Sequence, residues 1–515
     1  MGETRQEARQ GMRQGTVLCP ADNGAATKET AGTKVKSGAG ALTEAGAEGS
    51  ARPKSRAGAL PASRAAAVAG SATSAKSSAR SRARAAARKF LDEEKEYQMG
   101  DIAAEQPNRL TAGLSDTFAT NTKDGVRMLL AVDKEAAAIL KKSLLSREYK
   151  EFAAAVTDTF KKGGRVILSG CGSSGRLCMR LEASWRKALK DMSAVNPGRE
   201  TLLNDLADKV ITLMTGGDYA VIRAVESFED YASLSRAQME ELCPDENDLV
   251  IGVTATAETT SIIGSAMAAA QKGAKVYMLV CTPPESVSNK MKRAEELYSH
   301  PNVSSFYIPI KGMALTGSTR MQSSTVEQAA AVCALQEAMA ALLEEEGISI
   351  SKLTPEQFAD TFSDLVRSLA QKDSVENMAR YLEYETGIYS REGLVTYFSD
   401  DYILDILTDT TERSPTFMIP PFLPEAAGEK QNQSSGSQSW AFVKNPLLYT
   451  PDAWNDCFMR APRCIRWTRD EYIKFGLEQE IANRMMPITA DALMKFKIGQ
   501  EPSPHRSANA NSTAV

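Results

Sequence analysis

Between an apolar stretch and a helical one the chain reads GCGSSG, Gly170 to Gly175. Glycine lets the backbone approach an anion closely, and the N–H groups that open a helix favour a phosphate. Ser173 and Ser174 add hydroxyl donors, bracketed by Gly172 and Gly175. No Lys-Ser or Lys-Thr follows, so this is not a P-loop, and the glycines are out of register for the dinucleotide fingerprint. Alone, such a turn serves equally as a tight strand-to-helix connection. Two further stretches are rich in hydroxyls. One holds Thr254, Thr256, Thr259, Thr260 and Ser261. The other is LTGSTRMQSST, Leu315 to Thr325, where Ser318 and Thr319 adjoin Arg320, a cation able to pair with a phosphate or a carboxylate. Ser and Thr at helix starts also act as N-caps, so each stretch is ambiguous by itself.

Other residue types narrow the chemistry. The chain has only two histidines, His300 and His505, both in polar surroundings with no Cys or carboxylate at ligand spacing. That disfavours a Ser-His-Asp triad and histidine-ligated zinc. Proton transfer then falls to Glu, Asp, Lys or Tyr. The eight cysteines are scattered without a CxxC pair, which reads as reduced thiols in a cytoplasmic protein. A net charge of −4 argues against general nucleic-acid binding. The longest apolar stretch, Leu249 to Cys281, is interrupted by Glu258, Lys272 and Lys275, so no membrane span is expected. The first residues carry no apolar run of the kind that marks a signal peptide.

The elements that must position these loops alternate. Helical periodicity covers 125–160. Short apolar strands are expected at Arg165–Ser169, Val210–Met214, Leu249–Val253, Lys275–Cys281 and, more weakly, Ser305–Ile310. A helix is expected from about Arg176, another over SIIGSAMAAAQKG, and a long one over 325–345. Short buried strands alternating with helices imply an α/β fold with a doubly wound parallel sheet. Such sheets bind ligands beyond the carboxyl ends of their strands.

Residues 1–88 are rich in Ala, Gly, Ser, Thr, Lys and Arg, and are expected to be a disordered tail. Ala51 to Arg88 lacks Asp and Glu, as transit peptides do, but Glu3 and Glu7 open the chain, which leaves a solvated tail as the default. The first globular domain is expected at 89–348. A second unit is expected at 349–500, with a strand at Leu394–Ser399, a helix at Tyr402–Thr411 and a polar loop at Ala426–Ser439. The tail 501–515 is polar again.

Taken together, GCGSSGR, GGDYAVIRAVESFED (216–230), DLVIGVTATAETT (248–260) and LTGSTRM resemble, in order and spacing, the sugar isomerase (SIS) domain family of N-acetylmuramic acid 6-phosphate etherases and glucokinase regulatory proteins. The similarity covers roughly 95–345, with a weaker one to a second SIS unit over about 380–500. The resemblance implies a phosphosugar held by Gly172, Ser173, Ser174, Gly175, Thr254, Thr256, Thr259, Ser318, Thr319 and Arg320. In the etherases two glutamates handle protons while a lactyl ether is eliminated and water is added back. Glu229 of AVESFED matches one of them. The other belongs to a "DASECPPT" helix after the Gly-rich loop. Here that helix reads RLCMRLEASWRKAL, and the position falls on Ser184 or Trp185, with Glu182 out of register. The pattern returns at DTTERSPTF, Asp409 to Phe417, with Glu412 in the glutamate's place, while FSDDYI replaces the Gly-rich loop of that unit. This suggests a composite site, phosphate held by the first unit and Glu412 supplied by the second; a capping or ion-paired Glu412 is the alternative. The second unit is expected to be incomplete.

The first expectation for function is a phosphosugar-binding regulator similar to glucokinase regulatory proteins. The alternative is a lyase acting on N-acetylmuramic acid 6-phosphate or a related phosphorylated amino sugar. An aldose–ketose isomerase and a scaffold rank lower. A phosphorylated sugar is the expected ligand and a sugar kinase a candidate partner, with no nucleic acid or membrane. SIS proteins usually pair their sheets, so a dimer or pseudo-dimer is expected. No metal or organic cofactor is implied.

Overall fold

The computed structural model describes residues 80–225, 227–391, 395–411, 424, 440–485, 488–500 and 513–514. From Gln98 onward these form one compact unit, and the residues before it belong to another. In that other unit residues 80–93 are helical and exposed, overlapping the expected tail. The sequence there, RSRARAAARKFLDE, is dominated by strong helix formers.

Two helices lead into the main sheet. Thr122–Leu144 (α1) is capped by Asn121, whose side chain accepts from Lys123 N and Asp124 N. Arg147–Lys161 (α2) is capped by Ser146, which accepts from Tyr149 N. Strands Val166–Gly170 (β1), Val210–Met214 (β2), Leu249–Val253 (β3), Lys275–Val280 (β4) and Val303–Tyr307 (β5) follow, all parallel, in the order β2-β1-β3-β4-β5. β1, β2 and β3 are buried along their whole length, which is why they read as continuous apolar runs rather than alternating ones. Helices Gly172–Val195 (α3), Thr260–Gln271 (α4) and Gln322–Glu345 (α5) belong to this unit. α5 is long and apolar enough to cross a membrane, but 67% of its apolar window is buried inside the protein, so it is a core helix.

The order reverses between β1 and β3. The chain runs from β1 outward to β2, then returns to the far side of β1 for β3, β4 and β5. Such a reversal opens a crevice at the carboxyl ends of the two central strands. At the amino ends the same strands are tied by Asp248, which accepts from Arg165 N at 2.8 Å and pairs with the Arg165 guanidinium.

A second sheet holds Val395–Phe398 (β6), Trp440–Val443 (β7) and Thr513–Ala514 (β8), parallel and ordered β7-β6-β8. With it go Ile403–Thr411 (α6) and Thr450–Phe458 (α7). This half shares a core with the first: Met179 and Ala183 of α3, Met214 of β2 and Tyr219 to Ile222 pack with Leu404, Trp454, Phe458 and Phe496. The polar loop expected at Ala426–Ser439 lies outside the described residues. Among the described cysteines, Cys171, Cys178, Cys281, Cys333, Cys457 and Cys464 carry free thiols.

Candidate functional site

α3 begins at Gly172, earlier than the sequence suggests, so GSSG is the first helical turn itself. Cys171 occupies the N-cap with extended backbone, and Gly172 has φ +53°. The opening amides of α3 therefore lie at the carboxyl end of β1, where a helix leaves its N–H groups without intrahelical partners. Two glycines permit this close turn. A Cβ on Gly170 would meet Gly175 Cα at 2.6 Å, and one on Gly175 would meet Met214 Sδ at 2.1 Å.

The other loops converge here. Ser173 Oγ and Thr319 Oγ1 lie 3.4 Å apart across 146 residues. Thr254 Oγ1 and Thr259 Oγ1 are 2.9 Å apart, closing the loop after β3. That loop is held from behind: Tyr298 OH donates to Ala257 O at 2.9 Å, and Arg293 pairs with Glu258 at 3.1 Å. Glu258 also accepts from Thr256 Oγ1 at 3.4 Å. Ala257 has φ +62°, a left-handed conformation unusual for alanine that persists where surrounding contacts impose it. Ser318 is buried and its Oγ has no hydrogen-bond partner. Arg320 is half-buried in the same loop.

Glu229 is exposed in the loop after β2, and Cys171 donates its thiol to Glu229 Oε2 at 3.0 Å. The preceding Ser227 is left-handed, φ +65°, and Phe228 is buried against Trp467 with ring centroids 5.9 Å apart. Glu412 lies outside the described residues. The position where the etherases' other glutamate would fall is core. Trp185 is buried, stacks on Phe160 at 5.1 Å and donates its indole N–H to Leu206 O at 2.9 Å. Glu182 faces away from the loops into a buried ion cluster with Arg186, Arg460 and Arg463 at 2.9–3.0 Å. Burial alone would raise its carboxyl, but the guanidinia of Arg460, Arg463 and Arg186 outweigh it and hold it far below the usual range. It serves as an anchor for the C-terminal half.

Sequence reasoning missed the role of Cys171 and the hydroxyl of Thr215, which donates to Ser261 Oγ at 3.1 Å between the first two loops. Their adjacency comes from strand order, which no local pattern encodes.

Comparison with known proteins gives two kinds of relative. Residues 148–270 match the profile of the glucokinase regulatory protein N-terminal SIS domain. An N-acetylmuramic acid 6-phosphate etherase of Photobacterium profundum is 29% identical over 208 residues, 40% of this chain and 60% of that protein. Another, of Staphylococcus saprophyticus, is 32% identical over 172 residues, 33% of this chain and 50% of that one. The chain thus spans about half to three fifths of these relatives' length. Among solved structures, phosphoheptose isomerase GmhA from Neisseria gonorrhoeae has a TM-score of 0.25 at 11% identity, covering 46% of this chain and 93% of that one. Tagatose-6-phosphate ketose/aldose isomerase from Escherichia coli has a TM-score of 0.32 at 11% identity, covering 59% and 64%. These scores are low, and the fold rests on the sheet order itself. Residues 148–270 are thus similar to the SIS domain of glucokinase regulatory proteins, and a third to two fifths of the chain is similar to N-acetylmuramic acid 6-phosphate etherases.

Proposed function

We propose that the first SIS unit binds a phosphorylated amino sugar and acts on it as a carbon–oxygen lyase of the etherase type. The observation that carries this reading is the approach of Ser173 to Thr319 at the N-terminus of α3. The phosphate would sit on the opening amides of α3, with Ser173, Ser174, Ser318 and Thr319 around it and Arg320 as counter-charge. Gly172 and Gly175 give the backbone its close approach, and Thr254, Thr256 and Thr259 line the facing loop. The names of the etherase relatives support the substrate class.

Eliminating a lactyl ether takes a proton from the carbon beside the ether carbon, forms a double bond between the two and puts a proton on the departing oxygen. Adding water back takes a proton from the water, bonds its oxygen to the former ether carbon and returns a proton to the neighbouring carbon. Glu229, which accepts from the Cys171 thiol beside the Gly-rich loop, is the proposed carrier of a proton in one of these steps. Glu412 remains the proposed source of the second acid, from the other half of the chain.

A regulatory reading is favoured by the matched profile and by the core tryptophan at the missing acid's position. It predicts binding without turnover and a sugar kinase as partner. A cytoplasmic location and paired SIS units, as dimer or pseudo-dimer, accompany both readings.

Lactate release from N-acetylmuramic acid 6-phosphate separates them. The lyase reading expects release by the wild-type chain, lowered about a hundredfold or more in Glu229→Gln and in Glu412→Gln. Binding with no lactate would transfer support to the regulator.

A further inference from the structure

Cys171 sits where β1 turns into α3, yet its side chain does not cap the helix. The thiol donates to Glu229 Oε2 instead, at 3.0 Å, a short distance for sulfur. The hydroxyls of Ser261 and Thr215 flank it. Burial first, and then the negative charge of Glu229, push the thiol well above its ordinary value. The sulfur stays protonated near neutral pH, which makes it a donor and a poor nucleophile. The Glu229 loop is anchored on one side by Phe228 against Trp467. Its carboxylate end meets Cys171.

We propose that Cys171 is a positioning residue for Glu229. Its thiol holds one carboxylate oxygen against the Gly-rich loop and leaves Oε1 as the oxygen that meets the bound sugar. This rests on the reading that Glu229 meets the bound sugar phosphate, as acid–base group or as ligand, and adds the residue that aims it. A thiol is a weak donor, so it orients the carboxylate without neutralising it.

The test uses the full chain and the variants Cys171→Ala, Cys171→Ser and Glu229→Gln. The first readout needs no turnover: the rate at which iodoacetamide alkylates Cys171, followed by peptide mass across pH. Removing the Glu229 charge should raise that rate about tenfold at about pH 8, since one unit in thiol pKa is tenfold in thiolate. Equal rates in wild type and Glu229→Gln overturn the pairing. The second readout is lactate release. Cys171→Ala should lower kcat about tenfold with KM within about threefold, and Cys171→Ser should recover most of the loss. Wild-type kcat in the alanine variant overturns the positioning role. If the wild-type chain binds the sugar phosphate but releases no lactate, the lyase reading fails alone, and the comparison moves to the dissociation constant. There, a weakening in Cys171→Ala that serine reverses supports the proposal, and unchanged affinity overturns it. A wild-type chain that binds no sugar phosphate overturns both.

Discussion

The hydroxyl of Ser318 is buried and unpartnered beside Thr319. A buried polar atom in that state costs about 1–3 kcal/mol unless something satisfies it, and a bound phosphate would. A second buried polar group is Glu327, in the second turn of α5. Its Oε1 accepts from the Cys281 thiol at 3.7 Å and its Oε2 has no partner. Burial pushes this carboxyl well above the usual range. A raised acid contributes stability that is complete below the unfolded value and lost as pH rises toward the folded one. Glu327→Gln should therefore gain on wild type by roughly 1.4 kcal/mol per pH unit above about pH 4.3. Urea unfolding at several pH values checks this, and parallel curves for the two proteins would refute it. At this scale the sequence pointed to these hydroxyls because their types declare hydrogen-bonding capacity. Glu327 and Cys171 carried no such signal, since their behaviour comes from what surrounds them.

The strands were legible because full burial on both faces leaves an unbroken apolar run. Val210–Met214 and Leu249–Val253 stand as expected, and the other strands of the first sheet shift by a few residues at their ends. The start of α3 was not legible. Glycines suggest a loop, yet here they form a helical turn because close packing on Gly170 and Met214 leaves no room for a Cβ. Gly175→Ala should destabilise by about 1–3 kcal/mol through overpacking and should abolish any stabilisation by a sugar phosphate. Gly100→Ala, with nothing within 4 Å of the added Cβ, is the matched control and should stay within about 0.5 kcal/mol. Equal stability of the two variants in urea would mean that the turn relaxes freely.

Across the whole molecule the two halves are joined by buried charge. Arg460 bonds Glu182 of α3 at 3.0 Å and pairs with Asp218 after β2. Arg463 N donates to Asp218 Oδ2 at 2.6 Å, and Arg463 pairs with Glu182 at 2.9 Å. Asp218 opens the segment that leads to Glu229, so the C-terminal half braces that segment. Pairs separated by more than 240 residues leave no local pattern, which is why the sequence suggests two units and gives no sign of the shared core. Removing Arg460 would strand buried carboxylates, and Arg460→Ala should cost about 3–5 kcal/mol. Glu182, held low, contributes stability that is present above about pH 4.3 and lost as pH falls below it toward its folded value. Denaturant midpoints of the wild type should drop in that acid range more steeply than those of Glu182→Gln; equal slopes would show that the cluster is not coupled to folding. The convergence of three hydroxyl loops at the β1–β3 crevice is the basis of the proposed sugar-phosphate site. Thermal unfolding with N-acetylmuramic acid 6-phosphate, fructose 6-phosphate and fructose 1-phosphate tests it directly. A ligand at about 100 times its dissociation constant should add about 2.7 kcal/mol to the wild type, and Ser174→Ala should lose that gain. A folded wild-type chain that none of these ligands stabilises would contradict the account.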